Sequence, residues 1–229
     1  MISLGPEVFL MALGAYVLGS LPFARMIAAA YGVDLEQTGS GVPSVANVNH
    51  TLGKVPAVLA ILGDVGKVLI PVFVASRMSV DAAALIAVGV IAGHTWPVFA
   101  RFNGGHGMLA ALATGLVLLP REFAVLGAIL IPISWAIHDT APTGAIGLVM
   151  LPISAWLVGE PTSLIWAFVA IAVIGFARRL TAPPKAPVTP RTVLSRLAFD
   201  RPDPRRHWTL DQEARLDSSE SHPPGKGRD

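Results

Sequence analysis

The sequence has no cysteine among its 229 residues, only two tyrosines, and few charges: 14% of residues are Asp, Glu, Lys or Arg, against 53% hydrophobic. Without cysteine there is no disulfide framework, no thiolate nucleophile, no Cys-ligated metal or iron–sulfur site and no thiol redox chemistry. So few charges exclude an ordinary soluble enzyme, in which about a quarter of the residues are charged. The stretch from Met1 to Glu7 lacks a positive cluster, and the apolar run after it continues for over 20 residues without an A-x-A-like site, so no cleaved signal peptide is expected. A dispersed net charge of +2 offers no basic footprint for nucleic acid.

What is present is apolar sequence in blocks. Residues 1–180 hold eight Lys/Arg and eight Asp/Glu, whereas residues 181–229 hold nine and seven. The first region predicts an all-α membrane protein, a polytopic helical bundle with five to seven spans of a bilayer core ~30 Å thick. Seven apolar stretches can be drawn: 7–30, 55–76, 80–100, 107–120, 122–138, 142–158 and 161–178. The fourth is shorter than the ~17 to 25 residues that span unaided, so it is expected to be tilted, re-entrant or extended into its flanks. The second region, 181–229, carries eight of the 19 prolines mixed with charges and serines, and is expected to be a disordered cytoplasmic tail. With seven spans, Arg25, Lys54, Arg101, Arg178 and Arg179 fall on one side and Arg77 and Arg121 on the other. The richer side is expected to be cytoplasmic, which places the N-terminus outside and the C-terminus inside.

Four segments have residues suited to chemistry. Gly39, Ser40 and Gly41, in the loop after the first stretch, allow successive backbone N–H groups to point one way, a nest that binds phosphate. Asn47, His50 and Lys54 follow within reach of an anion held there, although a Gly-Ser-Gly between helices is more often a plain connector. RFNGGHG, residues 101–107, is a second candidate anion loop at a helix N-terminus, or else a sharp helix break. Asp64 and Lys67 stand three apart on one helix face, Lys67 about 18 Å along the second stretch. A charge at that depth costs at least ~2.5 kcal/mol on insertion scales, so the pair points to a functional polar interior, mutual pairing being the other reading. His94, beside Pro97 in GHTWPVF, is either a hydrogen-bonded core histidine or a proton carrier about 9 Å from the cytoplasmic end. GSLPFAR, residues 19–25, interrupts the first stretch with Pro22, and Gly89 and Gly93, at GxxxG spacing, suit close helix packing.

Taken in order, GSLPFA, VDLEQTGSGVPSVANVNHTLGK, DVGK and GHTWPVFARFNGGHG resemble the bacterial membrane glycerol-3-phosphate acyltransferases that use acyl phosphate, the PlsY family, over about residues 16–115. Gly19, Ser20 and Pro22 match the family's G-S-x-P-x-G, with Ala24 at its last glycine. Gly39, Ser40, Gly41, Asn47 and Val48 match G-S-G-N-x-G-A-T-N-V-x-R, from which Val42, Ser44, Val45, Ala46 and His50 depart. Asp64 and Lys67 match its D-x-x-K. His94, Pro97, Val98, Phe99, Phe102, Gly104, Gly105 and Gly107 match H-x-x-P-V-F-x-x-F-K-G-G-K-G, with Asn103 and His106 where lysines stand.

The resemblance implies transfer of a fatty acyl group from acyl phosphate to glycerol 3-phosphate, giving lysophosphatidic acid and phosphate for phospholipid biosynthesis in the cytoplasmic membrane. It implies no cofactor, neither metal nor nucleotide, and as partners these two substrates and membrane lipid, with no nucleic acid; it says nothing of protein partners. On this basis residues 1–180 are a transmembrane acyltransferase-like domain. The Gly39–Gly41 loop, with Asn47 and His50, would hold glycerol phosphate. Asn103, Gly104, Gly105, His106 and Gly107, with Gly19, Ser20 and Pro22, would bind acyl phosphate. Lys67 beside Asp64 would supply fixed positive charge, and His94 would orient a reacting group or shuttle a proton. The replaced cations leave two other readings open: a catalytically impaired relative that binds lipid or a partner protein, and an acyltransferase with another acceptor. A small transporter ranks last, since the sequence has no inverted repeat to favour it.

Overall fold

The computed structural model of the chain describes residues 6–38, 43–105, 107–181 and 189–199, and those residues form helices and connecting turns without a strand. The helices are α1 (Pro6–Gly19), α2 (Phe23–Ala30), α3 (Val45–Leu52), α4 (Lys54–Ser76), α5 (Val80–Thr95), α6 (Met108–Leu118), α7 (Pro120–Ile137), α8 (Ala141–Val158), α9 (Thr162–Thr181) and α10 (Pro190–Phe199). Among the described residues, six segments are long and apolar enough to cross a membrane: Phe9–Ala30, which joins α1 and α2, and Lys54–Ser76, Val80–Ala100, Pro120–Ile137, Ala141–Val158 and Thr162–Thr181. The protein is thus an all-α, multi-span membrane protein within the range expected from the sequence.

Helix α5 is the centre of the bundle, packed against α1, α4 and α9. Of its span 56% is buried, against 6% for α7 at the periphery. The outer faces carry Trp135, Trp156, Trp166 and Leu157 exposed, as suits side chains that meet lipid rather than water. Helices α1 and α5 approach backbone to backbone because glycine lies at each contact. A Cβ on Gly93 would stand 2.0 Å from the Tyr16 carbonyl oxygen, one on Gly19 would stand 2.1 Å from that of Val90, and one on Gly89 would stand 2.7 Å from that of Ala12. The packing role read for Gly89 and Gly93 is therefore what the fold uses. The Tyr16 hydroxyl locks the same contact by donating to the Trp96 carbonyl at 2.8 Å.

The sequence breaks the first span at Pro22, which has no N–H to continue the ladder. Helix α1 ends at Gly19 and α2 restarts at Phe23, leaving the Leu21 carbonyl turned into the bundle. The fourth stretch folds as α6, 11 residues or about 16 Å long, which is shorter than a full crossing. It still returns the chain from one end of the bundle to the other. The start of α8 meets the end of α9 through a bond from Arg179 to the Ala141 carbonyl at 3.4 Å, so α7 arrives at that end and begins at the opposite one.

Two helices arise where the sequence reads as irregular. Helix α3 lies inside the loop between the first two spans, capped by Ser44, whose Oγ accepts from the Asn47 N–H at 3.2 Å. Helix α10 is an ordered segment within residues 181–229, a tail expected to be mostly disordered. Thr189 and Thr192 cap its start reciprocally, it packs on α8 and α9, and Arg179 donates to its Leu197 carbonyl. Averaging over the proline-rich tail conceals this ten-residue segment, whose Ser195 and Arg196 are buried.

Candidate active site

At one end of the bundle, between the start of α2, helix α4 and the end of α5, lies a small pocket. Its walls come from four stretches of chain: Leu21–Arg25 at the helix break, Asp64 and Lys67 on α4, His94 and Pro97 at the end of α5, and Asn103–Gly105 in the following loop. Pro43 completes the lining.

Lys67 is 6% exposed, so its ammonium needs partners of its own. It donates to Asp64 Oδ1 at 2.7 Å, one turn back on α4, and to the Leu21 carbonyl freed by the Pro22 break, also at 2.7 Å. Its Nζ lies 5.8 Å from the centre of the Phe23 ring, and that ring packs against Gly63, where a Cβ would fall 2.4 Å from it. An ammonium has three donors, so one remains to be aimed at the pocket. His94 Nδ1 stands 3.8 Å from the same Asp64 oxygen. A single carboxylate thus gathers the two side chains expected to be catalytic.

The loop after α5 is held in an unusual shape. Arg101 and Phe102 adopt φ of 51° and 60°, a left-handed conformation that costs non-glycine residues of order 1–3 kcal/mol each. The turn is secured by the Phe102 N–H to the Pro97 carbonyl at 2.9 Å and the Asn103 N–H to that of Ala100 at 3.0 Å. Gly104 and Gly105 then press on α5: a Cβ on Gly104 would meet the His94 carbonyl at 2.2 Å, and one on Gly105 would meet His94 Nε2 at 2.8 Å. Only glycine lets this loop close over the histidine. Gly107 starts α6 at φ +74°, where a Cβ would stand 3.0 Å from Thr95 Oγ1.

Of the residues proposed from sequence, Pro22, Asp64, Lys67, His94, Asn103, Gly104 and Gly105 line the pocket together. Gly19 and Ser20 lie behind the wall, Gly19 against Val90 and Ser20 fully buried with its Oγ donating to the Tyr16 carbonyl at 2.8 Å. Asn47 is buried too, and its Nδ2 donates to the carbonyls of Leu35 at 3.0 Å and Thr38 at 2.9 Å, which fixes the segment leading into Gly39. His50 is exposed on α3, away from the pocket walls. Gly39, Ser40, Gly41 and His106 lie outside the described residues. Arg25, Glu36 and Arg178 also gather here, although in the sequence the two arginines read only as loop cations and Glu36 has no role. Their spacing, 78 and 75 residues from Asn103 for the arginines, offered no local signal.

The family model described as glycerol-3-phosphate acyltransferase matches residues 9–181. A protein of that name from Rubrobacter xylanophilus is 36% identical over 157 residues, covering 68% of this chain and 78% of the relative. One from Neisseria meningitidis serogroup B is 34% identical over 167 residues, covering 70% and 84%. Among solved structures, the glycerol 3-phosphate form of PlsY (YgiH), an integral membrane glycerol 3-phosphate acyltransferase, shares the fold with a TM-score of 0.73 at 23% identity, over 90% of this chain and 98% of that one. The lysophosphatidic acid form gives 0.68 at 25% identity, over 76% and 88%. Matched over most of its length by the family model, and 34–36% identical to relatives of which it covers 78% and 84%, the chain belongs to the glycerol-3-phosphate acyltransferase family.

Proposed function

We propose that this protein transfers a fatty acyl group from acyl phosphate to glycerol 3-phosphate, giving lysophosphatidic acid and phosphate. The observation that carries this reading is the convergence of Lys67, Asp64, His94 and the Asn103–Gly105 loop on one pocket at the polar end of the bundle. Acyl phosphate is already activated, so the acceptor hydroxyl oxygen attacks the acyl carbonyl carbon directly and the carbon–oxygen bond to phosphate breaks. The hydroxyl proton leaves with the phosphate, and no covalent enzyme intermediate is required. The fixed ammonium of Lys67 and the glycine-loop N–H groups stabilise negative charge as it develops, and His94 orients a reacting group. The Gly39–Gly41 segment holds the glycerol phosphate, and the acyl chain lies between the helices.

The site end faces the cytoplasm in this reading, with the N-terminus outside, because most loop cations gather there. A non-catalytic relative is not favoured, since the pocket keeps both the buried cation and the histidine. The test is phosphate release by the purified protein in lipid or detergent, given a long-chain acyl phosphate with and without glycerol 3-phosphate. Release that depends on the acceptor and disappears in Lys67→Ala is the expected result. A folded protein that releases none overturns the assignment.

A further inference from the structure

Arg25, Glu36 and Arg178 meet at the mouth of the pocket, and none has a role in the chemistry above. Arg25 lines the pocket. Its Nη2 donates to Glu36 Oε1 at 2.5 Å and to the Asn103 carbonyl at 3.2 Å, while Asn103 Nδ2 donates to the same Glu36 oxygen at 3.1 Å. From the far side, Arg178 on α9 is 5% exposed and donates its Nη2 to Asn103 Oδ1 and to the Gly104 carbonyl, each at 2.8 Å. That contact fixes the Asn103 amide with its donor end toward Arg25 and Glu36.

Nε and Nη2 form the side edge of a guanidinium, the edge that grips two oxygens of one carboxylate or phosphate in parallel. Glu36 occupies one tooth of this fork with one oxygen. The Arg25 Nε atom is buried and has no hydrogen-bond partner among the described residues. Buried donors are nearly always satisfied, so an open one on the anion-recognising edge of a pocket arginine marks a place for a second oxygen. Glu36 is itself 44% exposed and can swing into water.

We propose that Arg25 and Asn103, backed by Arg178, form an oxyanion seat that the Glu36 carboxylate fills in the free protein and that a substrate phosphate group takes over, using both Nε and Nη2 of Arg25. The seat rests on the acyltransferase reading and adds to it the side chains that recognise a phosphate at the pocket mouth. The phosphate is that of the acyl donor or that of glycerol 3-phosphate, and the kinetics distinguish them.

The experiment measures KM for acyl phosphate and for glycerol 3-phosphate in the full chain, in Glu36→Gln and in Arg25→Lys. Removing the competing carboxylate lowers one of the two KM values about two- to fivefold, the strength of the exposed ion pair that substrate must break. Arg25→Lys keeps the charge but loses the fork, and raises the same KM about tenfold. The KM that moves identifies which phosphate uses the seat. If Glu36→Gln raises both values or leaves both unchanged, the contact only pins the loops together and the seat is overturned. Should the wild-type protein show no turnover at all, the acyltransferase reading fails separately. Calorimetry with inorganic phosphate then decides the seat: tighter binding by Glu36→Gln and weaker binding by Arg25→Lys support it, and equal binding by all three proteins overturns it.

Discussion

At the scale of single residues, the buried Lys67–Asp64 pair constrains the site most. Both side chains are almost out of solvent, and the Leu21 carbonyl satisfies a second proton of the ammonium. Removing one member leaves the other charged and unpaired, which costs about 3–5 kcal/mol, whereas replacing both with apolar groups is often close to neutral. Lys67→Ala is therefore expected to lower the melting temperature in detergent and to abolish acceptor-dependent phosphate release. The double variant Asp64→Leu/Lys67→Leu is expected to recover most of the thermal stability and none of the turnover. Parallel melting and activity assays on the two proteins separate the pair's structural part from its chemical one. Recovered turnover in the double variant would remove Lys67 from the mechanism.

Among elements, the contact of α1 with α5 sets the geometry of everything beyond it. Helix α5 carries His94 at its end, and α1 leads into the break that presents the Leu21 carbonyl. Their separation depends on glycine: a Cβ on Gly93 would intrude to 2.0 Å on the Tyr16 carbonyl, whereas one on Gly14 meets nothing within 4 Å. Gly93→Ala must push the helices apart and is expected to destabilise by about 1–3 kcal/mol, as overpacking usually does. Gly14→Ala, in open space on α1, is expected to be neutral or to stabilise by up to about 1 kcal/mol through helix propensity. A lowered melting temperature in Gly93→Ala with none in Gly14→Ala would confirm the contact, and equal shifts would refute it. The tail helix α10 follows the same logic, since Arg179 ties its carbonyl end to the bundle.

For the whole molecule, four polar segments distant in the chain meet at one end of the bundle. Residues from α2, the loop before α3, the loop after α5 and the end of α9 touch there, through Arg25, Glu36, Asn103 and Arg178. The proposed orientation puts that end in the cytoplasm. The cysteine-free sequence suits single-cysteine labelling in intact cells with an impermeant reagent. Met78→Cys and Glu160→Cys, in turns at the opposite end, are expected to be labelled from outside, and Gln37→Cys only after the membrane is opened. The reverse pattern would invert the topology and place the site on the wrong side for a cytoplasmic acceptor.

The sequence by itself determined the helical spans, the broken first span at Pro22 and the face shared by Asp64 and Lys67. Each is a local property, set by runs of apolar residues, by the missing proline N–H or by the 3.6-residue turn. The spans were read nearly to their ends for that reason. Helices α3 and α10 were not legible, because a short helix takes its stability from caps and from the surface beneath it rather than from its own composition. Only the tertiary structure decided that Lys67 reaches across to Leu21, that Gly104 and Gly105 close over His94, and that Gly19 and Ser20 stand behind the pocket instead of in it. It alone brought Arg178 to Asn103, 75 residues away. Such meetings depend on which helices approach closely and at what rotation, and side chains from distant parts of the chain settle that together.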